Sequence, residues 1–208
     1  MTALSDLITA TVTITGRPDL QDLITQSIFK ATLKEHAAID YPRDLAELTP
    51  VALPVSTNWR YSLSLATLGL LNTMRKIALV REDLATDPSS LYSTAGYWGQ
   101  IQFTEVSPKA LFDGYALELY DYYYRQGSTL NIVASRSVDN IGIMYYKLPT
   151  VLLSGYSSWI ADMYPYVIYE HAAADVFKAI GKDEEAATYR QKLPDNRLDI
   201  IRGEIGAI

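Results

Sequence analysis

The sequence predicts an α+β fold that is mainly helical: a helical bundle with a small antiparallel β-sheet insertion and an extended C-terminal tail. Three observations predict it. Apolar residues recur at helical spacing near both ends of the chain, two β-rich segments flank a short polar stretch in the middle, and Pro194 follows the last helical pattern. The 208 residues, 49% apolar and 20% charged, are enough for one globular domain.

Two helices are predicted near the N-terminus. The first begins at Leu4 and ends before Gly16, and the second follows Pro18, which suits an early helical position because its missing amide hydrogen is not needed there. Three prolines between residues 40 and 54 then predict an irregular crossing. The second helix reaches Ala38, and its apolar stripe consists of Leu20, Leu23, Ile24, Ile28 and Ala31.

The middle of the chain is harder to assign. Residues 59–82 fit both a strand and a helix, and the turn-forming residues of 83–99 predict an exposed loop. After this loop we expect a strand, a helix and two paired strands, over residues 100–106, 109–121, 129–135 and 141–147.

Two more helices are predicted before the tail. The first runs from Pro165 to Ile180, where Gly181 suits a left-handed helix end, and the second runs from Asp183 to Leu193. Pro194 is expected to stop that helix. The remaining tail needs a surface to lie against, either its own subunit or a neighbour, because it carries the apolar residues Leu198, Ile200, Ile201 and Ile205.

No repeat or long linker divides the sequence, so a single domain over residues 1–208 is predicted. Its parts are N-terminal helices over 1–54, a mixed middle with the antiparallel sheet over 55–153, C-terminal helices over 154–193 and the tail over 194–208.

Composition argues against several classes of protein. With 18 basic and 24 acidic residues, the net charge of −6 disfavours a general nucleic-acid binder. The absence of cysteine excludes disulfides, thiolate zinc sites and thiol nucleophiles, and it fits a reducing compartment. The N-terminus lacks the pattern of a signal peptide, and no apolar run approaches the ~18 residues of a membrane span.

The search for catalytic chemistry centres on the two histidines, His36 and His171. On a helix, His171 could share a metal ion with Asp175 and Glu170, but such spacings are frequent by chance, and a packing role in the alanine-rich stretch is preferred. No nucleophile elbow, Walker loop or dinucleotide-binding turn occurs. The sequence therefore predicts no enzyme, no metal and no cofactor.

The 16 tyrosines are the strongest compositional excess. Tyrosine combines a large apolar face with a hydroxyl group that tolerates water, and it is enriched at protein interfaces. The alternative is that these tyrosines are half-buried residues of ordinary strands and helices.

The segment GYSSWIADMYPYVIYEHAAADVFKAIGKDEEAATYRQKL, residues 155–193, resembles the head-to-tail adaptor (connector) proteins of tailed bacteriophages. In those proteins a Ser-Trp turn with an aspartate and a Tyr-Pro or His-Pro pair leads into an alanine-rich helix, an acidic turn and a second helix carrying a tyrosine. The N-terminal segments LSDLI, GRPDL, KATLKEHAA and DYPRDL are similar too, whereas residues 55–153 match only loosely. Pro194 falls where the last helix of relatives continues.

This resemblance implies a ring of identical subunits, usually twelvefold, which docks under the portal protein and presents its other face to the next neck or tail component. Double-stranded DNA passes through the lumen without specific binding, no membrane is involved, and the protein is made in the host cytoplasm and resides in the virion neck. Trp159 and Tyr164 are assigned to the turn that positions the helices, and portal contact is assigned to Arg197, Leu198, Ile200, Ile201 and Ile205.

Three alternatives remain open at this point. The chain could be another neck part, such as a stopper or tail-completion protein, a cytoplasmic binding module, or a metal-dependent enzyme built around His171. A deep pocket that joins His171 to distant carboxylates would favour the enzyme.

Overall fold

A computed structural model describes residues 4–83, 98–112 and 120–205 of the chain. Its backbone contacts divide into two compact units, a helical unit of Met1–Pro42 with Leu148–Ile208 and a β unit of Arg43–Lys147. Most of the predicted loop at 83–99, and the part of the predicted helix at 113–119, lie outside the described residues.

The helical unit brings together both ends of the chain. Gly16 and Gly181 adopt φ values of +65° and +76°, left-handed conformations that end helices where a side chain would be strained. Its core is made of aliphatic side chains from each α-helix of the unit, among them Leu7, Ile24, Ile160, Ile168 and Ile200, which are fully or almost fully buried. The helices are α1 (Leu4–Thr15), α2 (Gln21–Ala38), α4 (Trp159–Met163), α5 (Pro165–Ala179) and α6 (Asp183–Ile205).

The β unit contains a seven-stranded sheet in the order β1-β7-β3-β4-β5-β6-β2, as far as the described residues show. Neighbouring strands are antiparallel except β4 and β5, which pair in parallel. Buried side chains such as Val80, Phe103, Ile132 and Ile143 form the core of this unit. The elements are β1 (Leu45–Ala52), β2 (Arg60–Ser64), β3 (Met74–Asp83), β4 (Trp98–Glu105), α3 (Pro108–Phe112), β5 (Tyr122–Gln126), β6 (Thr129–Val133) and β7 (Asn140–Lys147).

The predicted fold class, a mainly helical bundle with a small antiparallel sheet, is wrong, because the sheet is large and mixed. The prolines of the predicted irregular crossing do not prevent β1 from forming. Pro50 lies in an edge strand, where a missing amide hydrogen is tolerated, and the pairing with β7 shifts register between Leu48 and Val51. The ambiguous segment 59–82 supplies β2 and β3, both strands.

The extended C-terminal tail is also a wrong prediction, because α6 continues through Pro194 to Ile205. Proline removes one helical hydrogen bond and normally kinks or ends a helix. Tertiary contacts on both sides of Pro194 hold this helix against α5. None of the helices within the described residues is long and apolar enough to cross a membrane.

The last turns of α6 pack closely on the turn between α4 and α5. A methyl group added at Gly203 would collide with the hydroxyl group of Tyr164, so glycine at this position allows the approach. The segment predicted to be an extended tail therefore packs on its own subunit. There it contacts Tyr164, which the sequence analysis assigned to the turn that positions the helices.

A double-mutant cycle tests this contact. Gly203→Ala should destabilise the protein by about 1 kcal/mol, because an overpacking penalty of ~1–3 kcal/mol exceeds the helix-propensity gain of ~1 kcal/mol. In a Tyr164→Phe background, which lacks the hydroxyl, the same change should be neutral or stabilising. Urea denaturation measures both; an identical effect of Gly203→Ala in the two backgrounds would show that the helix does not dock there.

Candidate functional site

A buried carboxylate lies at the centre of the helical unit. Glu35 of α2 has a relative exposure of 0%, and it receives hydrogen bonds from α5 and α6. His171 Nδ1 lies 2.5 Å from Glu35 Oε1, and Arg197 binds both carboxylate oxygens, Nε at 2.7 Å and Nη2 at 3.0 Å. A two-pronged bond from arginine is among the strongest hydrogen-bonding arrangements for a carboxylate. Three helices distant in sequence thus meet at one side chain.

The partners of His171 fix the orientation of its ring. An ionised Glu35 can only accept a hydrogen bond, so Nδ1 is the donor. Lys34 Nζ lies 3.4 Å from Nε2. Both ring nitrogens therefore have partners within the protein. The ammonium group of Lys34 lies beside Nε2, the nitrogen that a metal ion would otherwise bind.

The other two members of the hypothetical metal site are also engaged. Glu170 accepts a hydrogen bond from Asn196 Nδ2 at 2.8 Å and lies 3.7 Å from Lys192 Nζ. Asp175 is bound by Lys34 at 3.0 Å. Throughout the part of the chain that the structure describes, no three or more acidic or histidine side chains are grouped so that they could hold a metal ion.

The ion pairs set the charge state of both carboxyl groups. Burial raises the pKa of Glu35, but the hydrogen bonds from His171 and Arg197 outweigh it, and the pKa lies below the ordinary value of a glutamate. Burial likewise raises the pKa of Asp175, and the hydrogen bond from Lys34 lowers it below the ordinary value. Both groups are therefore ionised at neutral pH.

These bonds explain how α6 continues through its proline. Asn196 and Lys192 flank Pro194 and both reach Glu170 on α5, while Arg197 lies one residue beyond Asn196. Fixed points one turn apart hold the helix in place where Pro194 has removed a backbone hydrogen bond. The polar contacts thus join the predicted tail to the body of the subunit.

A second constellation lies at the turn before α5. Ser158 caps α4, its hydroxyl accepting from the backbone of Ala161 at 3.2 Å, and it also hydrogen-bonds His36 Nε2 at 3.0 Å. The ring of Trp159 packs edge-on against His36 and Tyr41, with ring centroids 5.8 Å and 5.2 Å apart. The Ser-Trp motif therefore builds a junction between α2 and α4.

The residues predicted for protein contact fall into different environments. Trp159 and Tyr164 are half-buried at the turn, Arg197 is bonded to Glu35, and Ile200 is fully buried in the core. Leu198 is 45% exposed and Ile201 is half-buried. The side chain of Ile205 lies outside the described residues.

Three exposed apolar residues of the same unit were not identified from the sequence. Leu152 and Leu153 are 62% and 76% exposed, and Met163, at the end of α4, is 48% exposed. A signal for the leucine pair was available, since it directly precedes the turn formers Ser154 and Gly155.

Glu35 was missed as well. It extends the apolar stripe of α2 by one turn beyond Ala31, so helical spacing alone places a carboxylate on the buried face. Its partners cannot be read from spacing, because they lie 136 and 162 residues further along the chain.

Most of the described tyrosines are buried or half-buried, whereas residues of an open interface would be exposed. Among those that the structure describes, only Tyr120 is exposed, at 64%. Tyr41, Tyr61, Tyr122 and Tyr123 are buried. The tyrosine excess therefore does not by itself mark an open docking surface.

The sequence was compared with known proteins. No protein-family model matches it, and no curated protein matches it either.

Removing the guanidinium group of the central ion pair should destabilise the fold. Arg197→Met leaves the buried carboxylate of Glu35 short of two hydrogen bonds, and the free energy of unfolding should fall by about 3 kcal/mol. Urea denaturation measures this. The control is Arg202→Met: its guanidinium group lies 3.7 Å from Asp199 on an exposed helix face, so little change is expected. Equal stability of both variants and the wild type would contradict a structural role of the pair.

Acid should weaken the same ion pairs. Because the pKa of Glu35 and that of Asp175 are lower in the folded than in the unfolded chain, their stabilisation is complete above the unfolded value of about 4 and is lost as the pH falls further. Glu35→Gln should be less stable than the wild type at neutral pH, and the difference should narrow toward pH ~3. Urea denaturation across this range tests it, and a constant difference at every pH would be the contrary result.

Proposed function

We propose that this chain is a structural subunit of the neck of a tailed bacteriophage. Copies of it form a ring, usually twelvefold in the family it resembles, that joins the capsid portal to the tail or to the next neck component, and double-stranded DNA passes through the lumen. The observation that carries the proposal is the Ser-Trp turn, where Ser158 caps a helix, Trp159 packs against two rings and Pro165 begins α5. Ser158, Trp159 and Pro165 therefore each help to position a helix.

The polar centre of the helical unit supports a structural role over a metal-dependent enzyme. A general base or a metal ligand needs a free lone pair that faces a substrate or an ion. His171 has partners at both ring nitrogens, and Glu35 is fully buried between two donors. These groups hold helices together, and none of them is open to a reactant.

The exposed apolar side chains are suited to contact with other subunits. The centres of protein interfaces are enriched in apolar contacts, and a ring joins two different patches of each subunit. We assign Leu152, Leu153 and Met163 to the subunit interface. Leu198 and Ile201 retain the portal contact, since Arg197 and Ile200 face the interior of their own unit.

The overall charge fits the passage of DNA. A chain of net charge −6 has no general attraction for a polyanion, so a duplex can slide through a ring of such subunits without being held. The protein then resides in the virion neck after synthesis in the host cytoplasm.

Native mass spectrometry of the purified protein, alone and with the portal ring encoded by the same phage, tests the proposal. We expect a defined ring, or a complex that forms on the portal. Leu198→Ser should weaken portal binding about tenfold, the effect of losing ~1.4 kcal/mol of apolar contact. Leu71→Ser, a 39% exposed position of the β unit, is the matched control and should bind as the wild type.

A protein that stays monomeric and does not bind the portal would overturn the adaptor proposal. Binding to an assembled adaptor ring or to a tail tube, without binding to the portal, would instead identify a stopper or tail-completion protein.

A further inference from the structure

An open cleft of about 590 Å³ lies on the helical unit between α2, α5 and α6. Its volume is within the range of sites that bind small ligands or short peptide segments. The charged side chains that line it are Lys30, Lys34, Lys178, Arg190 and Asp175. Four cations surround one carboxylate, so the cleft carries an excess of three positive charges in a chain whose net charge is −6.

Three of these cations lie near the carboxylate of Asp175. Lys34 Nζ lies 3.0 Å and Lys30 Nζ 3.9 Å from Asp175 Oδ2, and Arg190 Nη2 lies 3.4 Å from Asp175 Oδ1. One carboxylate cannot neutralise three cations, and the side chains of Lys30 and Arg190 remain 66% and 43% exposed. Much of the positive charge therefore still faces solvent.

One further cation in the cleft has unused hydrogen-bonding capacity. Lys178 is exposed and forms no ion pair within the described parts of the chain. A negatively charged ligand in the cleft would supply it with a partner.

We propose that this cleft binds the carboxylate groups of an acidic peptide segment from a partner protein. Lysine ammonium groups act as point charges toward carboxylates, and Leu23 with Ala179 adds an aliphatic wall for a neighbouring apolar side chain. Phosphate groups fit less well, because a phosphate has no apolar part to place against Leu23 and Ala179.

This inference is independent of the neck proposal, because it requires only the purified chain. The probe is a rhodamine-labelled peptide of sequence Asp-Glu-Leu-Glu-Asp, followed by fluorescence anisotropy at low ionic strength. Its amide counterpart, Asn-Gln-Leu-Gln-Asn, should not bind. Binding of the acidic peptide should weaken as salt rises, since exposed charge pairs are screened.

The double variant Lys30→Ala/Lys178→Ala should weaken peptide binding about tenfold, from the loss of two contacts of up to ~1 kcal/mol each. Lys178 makes no ion pair among the described residues, and Lys30 lies 3.9 Å from Asp175 with a largely exposed side chain, so thermal unfolding should change little. The matched control, Lys109→Ala/Lys147→Ala, removes two exposed lysines outside the cleft and should bind as the wild type.

Three results would overturn the proposal. The first is equal binding by the cleft variant and the wild type. The second is an equal loss in the control variant, which would mean general charge attraction. The third is binding of inorganic phosphate or of a DNA duplex that depends on Lys30 and Lys178 when the acidic peptide does not bind.

Discussion

The helical unit depends on the burial of one charge. Glu35 has no exposed surface, and removing a carboxylate from water costs several kcal/mol unless strong hydrogen bonds replace hydration. His171 and Arg197 provide those bonds, and each comes from a different helix. A bidentate arginine fits its carboxylate in one register of α6 along α5. We therefore expect the ion pair to help specify the position of the C-terminal helix, in addition to its effect on stability.

The burial of Glu35 determines which side chains of α6 face the interior and which face solvent. Arg197 and Ile200 face inward and Gly203 packs against Tyr164, so the proposed contact with another protein falls to outward side chains such as Leu198. The same three helices border the cationic cleft, so the arrangement that buries Glu35 also brings Lys30, Lys34 and Arg190 together. One packing arrangement thus creates both the cationic cleft and the exposed side of α6 that carries Leu198.

Local signals predicted most of the helices well and also the strands β4, β6 and β7. The expected pairing of residues 129–135 with 141–147 is wrong, because β6 pairs with β2 and β5 whereas β7 pairs with β1 and β3. Helical spacing, Gly16, Pro165 and Gly181 mark α1, α2 and α5 closely, because these are effects of neighbouring residues. Whether Pro50 is tolerated depends on β1 being an edge strand, which only the pairing with β7 determines. Likewise, the proline of α6 is tolerated because of contacts with α5. Such partners are far away in sequence, so no local pattern contains them.

In the candidate site, too, the local features could be predicted from the sequence and the long-range contacts could not. The Ser-Trp turn could be recognised, since Ser158 and Trp159 are adjacent and act locally. The buried position of Glu35 follows from its place on the α2 stripe, but its partners do not. The cleft could not be predicted from the sequence for the same reason. Its lysines are spread over α2 and α5, and they come close together only when these helices pack.

Hydrogen–deuterium exchange of the backbone amides over residues 195–205 tests most directly whether Glu35 holds the C-terminal half of α6. The account predicts slow exchange in the wild type and a marked loss of protection there in Glu35→Gln, with the amides of α1 much less affected. Fast exchange over 195–205 in the wild type, or unchanged protection in Glu35→Gln, would contradict it.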